Sequence, residues 1–178
     1  MMLTIHQSYL LEVLNQVRRI RVDQAKRLLY LSYRSTGEQV ERDLRQLRYG
    51  GKIRIDGTTV YLPGSRKNDR ILDAIDTVLA LSGNSQPKLV AGKPPCLLSF
   101  FIPSIPDSPI FRVFDVAPGE EEIARMNVAK ALSVHCTPIL LLYSPEQAGL
   151  LQFDGPVLRA AYQRRHTVLA GQKIASHP

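Results

Sequence analysis

The chain has 178 residues, with 23 Lys and Arg against 16 Asp and Glu, a formal charge of +7. That length suits one ordinary domain or two small ones, and 44% hydrophobic with 22% charged residues excludes a disordered chain. No apolar run approaches the ~20 residues that span a bilayer. Met1-Met2-Leu3-Thr4-Ile5-His6 lacks the basic start and long apolar core of a signal peptide, and two Cys make no disulfide framework. The expectation is a cytoplasmic protein with reduced thiols and no membrane partner.

The positive charge is concentrated. Residues 1–66 hold 12 Lys/Arg and 6 acids, a balance of +6, which leaves +1 for residues 67–178. A basic first third favours a polyanion partner, because neutralising phosphates releases counterions. Charge alone equally fits a solvated basic surface.

Leu10, Leu14 and Val17, with Val13 beside them, fall at helical spacing. Arg18-Arg19-Ile20-Arg21-Val22 breaks that pattern, and Asp23 is placed to cap a second helix over Gln24 to Leu31. After a polar turn, Thr36 with Gln39 three positions on has the spacing of a capping box. The third helix puts Val40, Leu44 and Leu47 on one stripe and turns Gln39, Arg42, Arg45 and Gln46 elsewhere. The period then switches to two: Lys52-Ile53-Arg54-Ile55 and Thr59-Val60-Tyr61-Leu62 flank Asp56-Gly57, a strong hairpin signal.

Three short helices followed by a basic ribbon predict a winged helix-turn-helix over residues 1–66. Such a module offers helix side chains to base edges and its ribbon to phosphates. The expected DNA contacts are Gln39, Arg42, Arg45 and Gln46 on the third helix, where Arg and Gln can bind guanine and adenine bidentately. Lys52 and Arg54 on the wing and Arg34 before the helix are the phosphate candidates. Glu38, Glu41 and Asp43 interleave with these arginines, so a solvated helix stitched by i,i+3 or i,i+4 pairs fits the same residues.

Pro63 to Asn68 is a boundary loop. Asp69 is placed to cap an amphipathic helix carrying Ile71, Leu72, Ile75, Val78 and Leu79, and Ser82 to Pro95 reads as an exposed loop. Cys96 to Ile102 and Ile110 to Val116 have strand character, separated by a proline-rich turn. Glu120, Glu121 and Glu122 begin a helix reaching about Val134, where three carboxylates suit the helix dipole. Pro138 to Tyr143 is a buried strand, and Ser144-Pro145-Glu146 opens a short helix or turn. Leu150 to Phe153 suits a strand, while Val157 to Tyr162 and Thr167 to Leu169 fit either strands or one broken helix. The whole is an α/β (α+β) chain, residues 67–178 forming a small domain around a mixed sheet.

Chemistry in that second part is sparse. There is no glycine-rich phosphate loop and no nucleophile elbow, and His6, His135, His166 and His177 have no ligand spacing. Asp107 in a turn and Asp115 on the next strand could hold a divalent cation for phosphodiester hydrolysis. The position two after Asp115 is Ala117 rather than the Lys such a site uses. The two carboxylates are not expected to converge, and no catalytic residue, metal or cofactor is assigned.

The stretch Phe111-Arg112-Val113-Phe114-Asp115-Val116-Ala117-Pro118-Gly119-Glu120-Glu121, behind such an N-terminal module, resembles the replication-relaxation-like proteins of plasmids and conjugative elements. The similarity runs from about Leu10 to Tyr143. It implies a winged helix coupled to a degraded restriction-endonuclease-like fold, with Ala117-Pro118-Gly119 where the family has Asp-Arg-Gly. It also implies a DNA-binding accessory or regulatory role in mobile-element transfer or replication. The expected partners are double-stranded DNA, a second copy through the C-terminal domain, and a protein of the transfer or replication machinery. A protein-docking adaptor and a metal-dependent nuclease are the two other readings.

Overall fold

The computed structural model describes residues 2–132, 136–153, 156–163 and 166–170. It is a mixed α+β chain with two sheets. His135, His177 and the expected helix end at Val134 lie outside the described residues.

Helix α1 spans Ile5–Val17 and opens with a full capping box: Thr4 Oγ1 accepts from the Gln7 N–H, and Gln7 Oε1 accepts from the Thr4 N–H, each at 3.2 Å. It ends at Arg18 in the left-handed region, φ 67°. Strand β1 (Arg19–Arg21) follows directly, then α2 (Val22–Tyr33), α3 (Gly37–Tyr49), β2 (Arg54–Asp56) and β3 (Thr59–Tyr61). The three strands pair antiparallel in the order β1-β3-β2, with Asp56 opposite Thr59 across the hairpin.

Two expectations are corrected in this region. Arg18–Val22 is not merely a break, because Ile20 pairs with Val60 and both are fully buried, while Arg19 and Arg21, themselves largely covered, pair with Asp69 and Asp76. Asp23 does not cap α2. The N-cap is Arg21, whose N–H donates to Gln24 Oε1 at 2.9 Å, and Asp23 sits in the first turn paired with Arg21.

The second part begins with α4 (Arg70–Ser82) and continues through β4 (Lys88–Ala91), β5 (Cys96–Phe101) and β6 (Ile110–Val116). After α5 (Glu121–Ala131) come β7 (Cys136–Leu142), a 3-10 helix over Pro145–Leu150, β8 (Leu158–Gln163) and β9 (His166–Ala170). The six strands lie in sequence order. The β4-β5-β6 meander is antiparallel, β6-β7-β8 is parallel, and β9 returns antiparallel to β8. The parallel step from β6 to β7 is made by α5, as a parallel crossover requires.

Alternation along the strands decides what covers each face. Val113, Ile139, Leu141 and Ala160 point to the side holding α4, whereas Phe114, Val116, Leu140 and Leu142 pack under Ala124 and Val128 of α5. Three readings change here. The Ser82–Pro95 stretch contains β4, which buries Leu89 and whose Ala91 N–H donates to Gln16 Oε1 of α1 at 2.9 Å. Asp69 occupies the N-cap of α4, but its carboxylate serves Arg19 and Lys67 instead of the helix. Leu151 to Phe153 is not a strand; Leu151 buries its side chain as the chain leaves the 3-10 helix.

The expected boundary at residue 66 lies in the connection between β3 and α4. The hydrophobic core runs through it, from Leu10, Leu14 and Leu28 to Ile75, Phe100 and Ile139. Each such buried side chain is worth about 1.5–3 kcal/mol. Polar bonds reinforce the junction: Gln24 Nε2 donates to Leu72 O at 2.7 Å and to Asp76 Oδ1 at 2.8 Å, and Arg21 pairs with Asp76 at 2.6 Å. No described helix is long and apolar enough to cross a membrane.

Candidate nucleic-acid interface

Helix α3 carries the candidate contact face. Thr36 caps it as the sequence predicts, with Gln39 Oε1 accepting from the Thr36 N–H at 2.9 Å. Val40, Asp43, Leu44 and Leu47 face inward, so a turn of 100° per residue aims Arg42, Arg45 and Tyr49 directly away from the core. Arg42, Arg45, Arg48 and Tyr49 are all exposed, Tyr49 to 88%.

Two of the three interleaved acids are engaged elsewhere, while Glu38 stays exposed on the outward face with no ion pair among the described residues. Asp43 turns into the α1–α3 contact, where Oδ1 accepts from Gln7 Nε2 at 2.9 Å and Oδ2 lies 3.4 Å from His6 Nδ1. Glu41 pairs with Lys26 of α2, whose ammonium holds the Glu41 carboxyl below its ordinary value. Among the described residues no carboxylate forms an ion pair with Arg42, Arg45 or Arg48. The guanidinium groups of α3 are therefore open to an outside partner, with Glu38 the one exposed carboxylate beside them whose charge is not paired within the described residues.

The two glutamines are less free than the arginines. Gln39 spends its carbonyl oxygen on the helix cap, and Gln46 accepts from Gln7 Nε2. Each keeps its amide NH2, so the bidentate donor–acceptor pairing with adenine needs one existing bond to break. Arg34 ends α2 at φ 56° and stacks on the Tyr30 ring at 5.1 Å, exposed in the turn before α3. Lys52 and Arg54 are exposed at the start of the hairpin. The structure thus groups Arg42 with Arg45 on α3, sets Lys52 and Arg54 on the ribbon and Arg34 in the helix-joining turn, and draws Gln46 towards α1.

Arg48 and Tyr49 are additions to the set read from sequence. A helical projection of residues 37–49 contains them, but Tyr49 next to Gly50-Gly51 reads first as a helix stop.

The two aspartates considered for a metal lie at opposite ends of β6. Asp107 sits in the turn before Ile110, and the strand from Ile110 to Asp115 alone spans about 16 Å. Asp115 is held by Arg70 of α4, Nε donating to Oδ1 at 2.8 Å, and the same guanidinium bonds Asp73 at 2.9 Å and Leu141 O at 3.0 Å. Its cation also lies over the Tyr143 ring at 3.9 Å, and Tyr143 OH reaches Asp115 Oδ2 at 3.4 Å. A guanidinium thus fills the place beside these carboxylates. The described residues contain no group of three or more His, Cys, Asp or Glu arranged to hold a metal ion.

No protein-family model matches this chain, and no curated protein matches it. Two solved structures of restriction endonuclease FokI, one of them described as bound to DNA, overlay on 76% of the chain at 13% and 14% identity, each with a TM-score of 0.29. The chain spans 37% and 36% of their lengths. The side chains themselves carry the functional reading.

Proposed function

We propose that residues 1–66 are a winged helix that binds duplex DNA, with α3 in the major groove and the β2–β3 hairpin as its wing. The observation that carries this reading is the set of exposed arginines on α3 without ion-pair partners among the described residues. Had the carboxylates of Glu41 and Asp43 stayed on the solvent side, Glu41 four residues before Arg45, they would offset the positive charge of the helix. Instead Lys26 and the α1 polar cluster take up those acids. Arg42 and Arg45 read base edges or flanking phosphates, and Lys52, Arg54 and Arg34 contact the backbone.

The second part, in this reading, is a non-catalytic restriction-endonuclease-like core. Its helix, antiparallel three-strand meander, crossover helix and parallel strand support the assignment, and Arg70 in contact with both Asp73 and Asp115 supports the lack of a metal centre. The role follows as an accessory or regulatory protein of mobile-element transfer or replication. Fluorescence anisotropy with a labelled random duplex at low salt tests it: Arg42→Ala with Arg45→Ala weakens binding roughly tenfold or more. Equal binding by both proteins contradicts the assigned face.

A second reading has its own observation. Met2 is 98%, Ile5 64% and Tyr49 88% exposed, and Met2 and Tyr49 border one shallow pocket beside α3. An apolar rim of that kind suits a docked protein. In that case the module is an adaptor, and Tyr49→Ser abolishes recovery of a protein partner in the absence of nucleic acid.

A further inference from the structure

On the α5 side of the large sheet, away from α3 and the hairpin, lies a cleft of about 470 Å³. We propose that it binds a small phosphate-bearing ligand of nucleotide size. Helix α5 is only 11 residues long and covers the Val116 end of β6, leaving the first half of that strand open on this face. The gap is closed on one side by the β4–β5 turn, Lys93-Pro94-Pro95-Cys96, where the Cys96 N–H donates to Lys93 O at 2.8 Å. On the other side stands the last turn of α5, with Asn127 and Lys130.

Three separate elements each aim one cation into this space: Lys93 from the turn, Arg112 from β6 and Lys130 from α5. None of the three forms an ion pair among the described residues, and the described lining contains no carboxylate. Ser99 stands opposite Arg112 across the β5–β6 ladder, and an irregularity between Cys96 and Leu98 brings the Cys96 thiol to the same face, 3.7 Å from Ser99 Oγ. Burial pushes both the Cys96 and Cys136 thiols up, so neither adds negative charge near Arg112. The carbonyl end of α5 opposes an anion with about half a charge, against three whole positive charges.

The chemistry selects phosphate over carboxylate. One guanidinium satisfies a planar carboxylate bidentately, whereas cations converging from three directions match the three-dimensional spread of phosphoryl oxygens. The volume lies within the range of about 300–1,000 Å³ typical of small-molecule sites. Phe114 forms an apolar floor beside the cations, suited to the non-phosphate part of such a ligand.

Calorimetric titration of the full chain with pyrophosphate and with ATP tests the proposal. Binding of at least one probe is expected, weakened about tenfold or more by Arg112→Gln with Lys130→Gln. Arg42→Ala with Arg45→Ala should leave it unchanged. All of these side chains are exposed, and circular dichroism melting checks that the variants fold. Lys93→Gln provides a second, independent loss, and Arg112→Lys a partial retention. Absence of heat with both probes, or equal binding by the double variant, overturns the site. So does full displacement of the probe by duplex DNA, which assigns the cations to a nucleic-acid backbone.

Discussion

Arg70 and Asp115 tie helix α4 to the end of the central strand β6, with Arg70 Nε 2.8 Å from Asp115 Oδ1. Arg70 also donates to Asp73 and to Leu141 O, and the side chains of Arg70 and Asp73 are only 15% and 14% exposed. Removing the guanidinium would strand two half-buried carboxylates and a backbone carbonyl. Arg70→Leu is expected to cost about 3 kcal/mol in urea unfolding, and Asp115→Asn, which keeps an acceptor, about 1 kcal/mol. A neutral Arg70→Leu would mean that solvent screens the cluster.

Asp73 gives this cluster a pH signature. Burial raises its carboxyl above the ordinary value, more than the neighbouring Arg70 lowers it. Between the unfolded and folded values the folded chain holds more of the proton, so Asp73's contribution makes stability fall as pH rises through that window. Subtracting the pH–stability curve of Asp73→Asn from that of the wild type should leave a negative slope just above about pH 4. A positive difference slope would show that the Arg70 charge outweighs burial.

Gly92 allows the β4–β5 turn to close on itself. A Cβ there would collide with the Cys96 carbonyl oxygen and the Leu97 carbonyl carbon, both backbone atoms. Gly92→Ala is therefore expected to lower stability by about 2 kcal/mol or more. Chemical denaturation against Gly149→Ala, where a Cβ meets nothing within 4 Å, isolates the close approach from a general glycine effect.

Asp43 fixes the placement of α3 against α1. It accepts from Gln7 Nε2 and from Thr4 Oγ1, and Gln7 in turn reaches Gln46. Asp43→Ala leaves the buried Gln7 amide short of an acceptor and should cost about 1–3 kcal/mol. Asp43→Asn restores part of that. If the alanine variant melts with the wild type, water replaces the carboxylate and α3 is held by apolar packing alone.

Local signals make much of this fold legible in the sequence. The Thr36–Gln39 box, the Asp56-Gly57 hairpin and the apolar stripe of α4 all depend on residues close along the chain, and each forms where expected. The elements that escape such reading are those created by distant partners. Strand β1 is three residues long and exists because Ile20 meets Val60; β4 exists because Leu89 enters the core and Ala91 is held by Gln16 of α1. The site divides in the same way. The outward face of α3 follows from helical periodicity, whereas the diversion of Asp43 to Gln7, of Glu41 to Lys26 and of Gln46 to α1 depends on contacts 15 to 39 residues away. Spacing alone leaves open whether Glu41 pairs with Arg45, because the two stand at i,i+4.

Binding to a random duplex measured across a range of salt concentrations tests the central claim most directly. For a winged helix using several cations, log affinity should fall linearly with log salt, at a slope of about −0.9 per phosphate neutralised. Arg42→Ala with Arg45→Ala should weaken binding and make that slope shallower by up to about 2, while Arg112→Gln with Lys130→Gln should leave it unchanged. No measurable duplex binding at low salt, or a slope indifferent to the α3 arginines, would contradict the account.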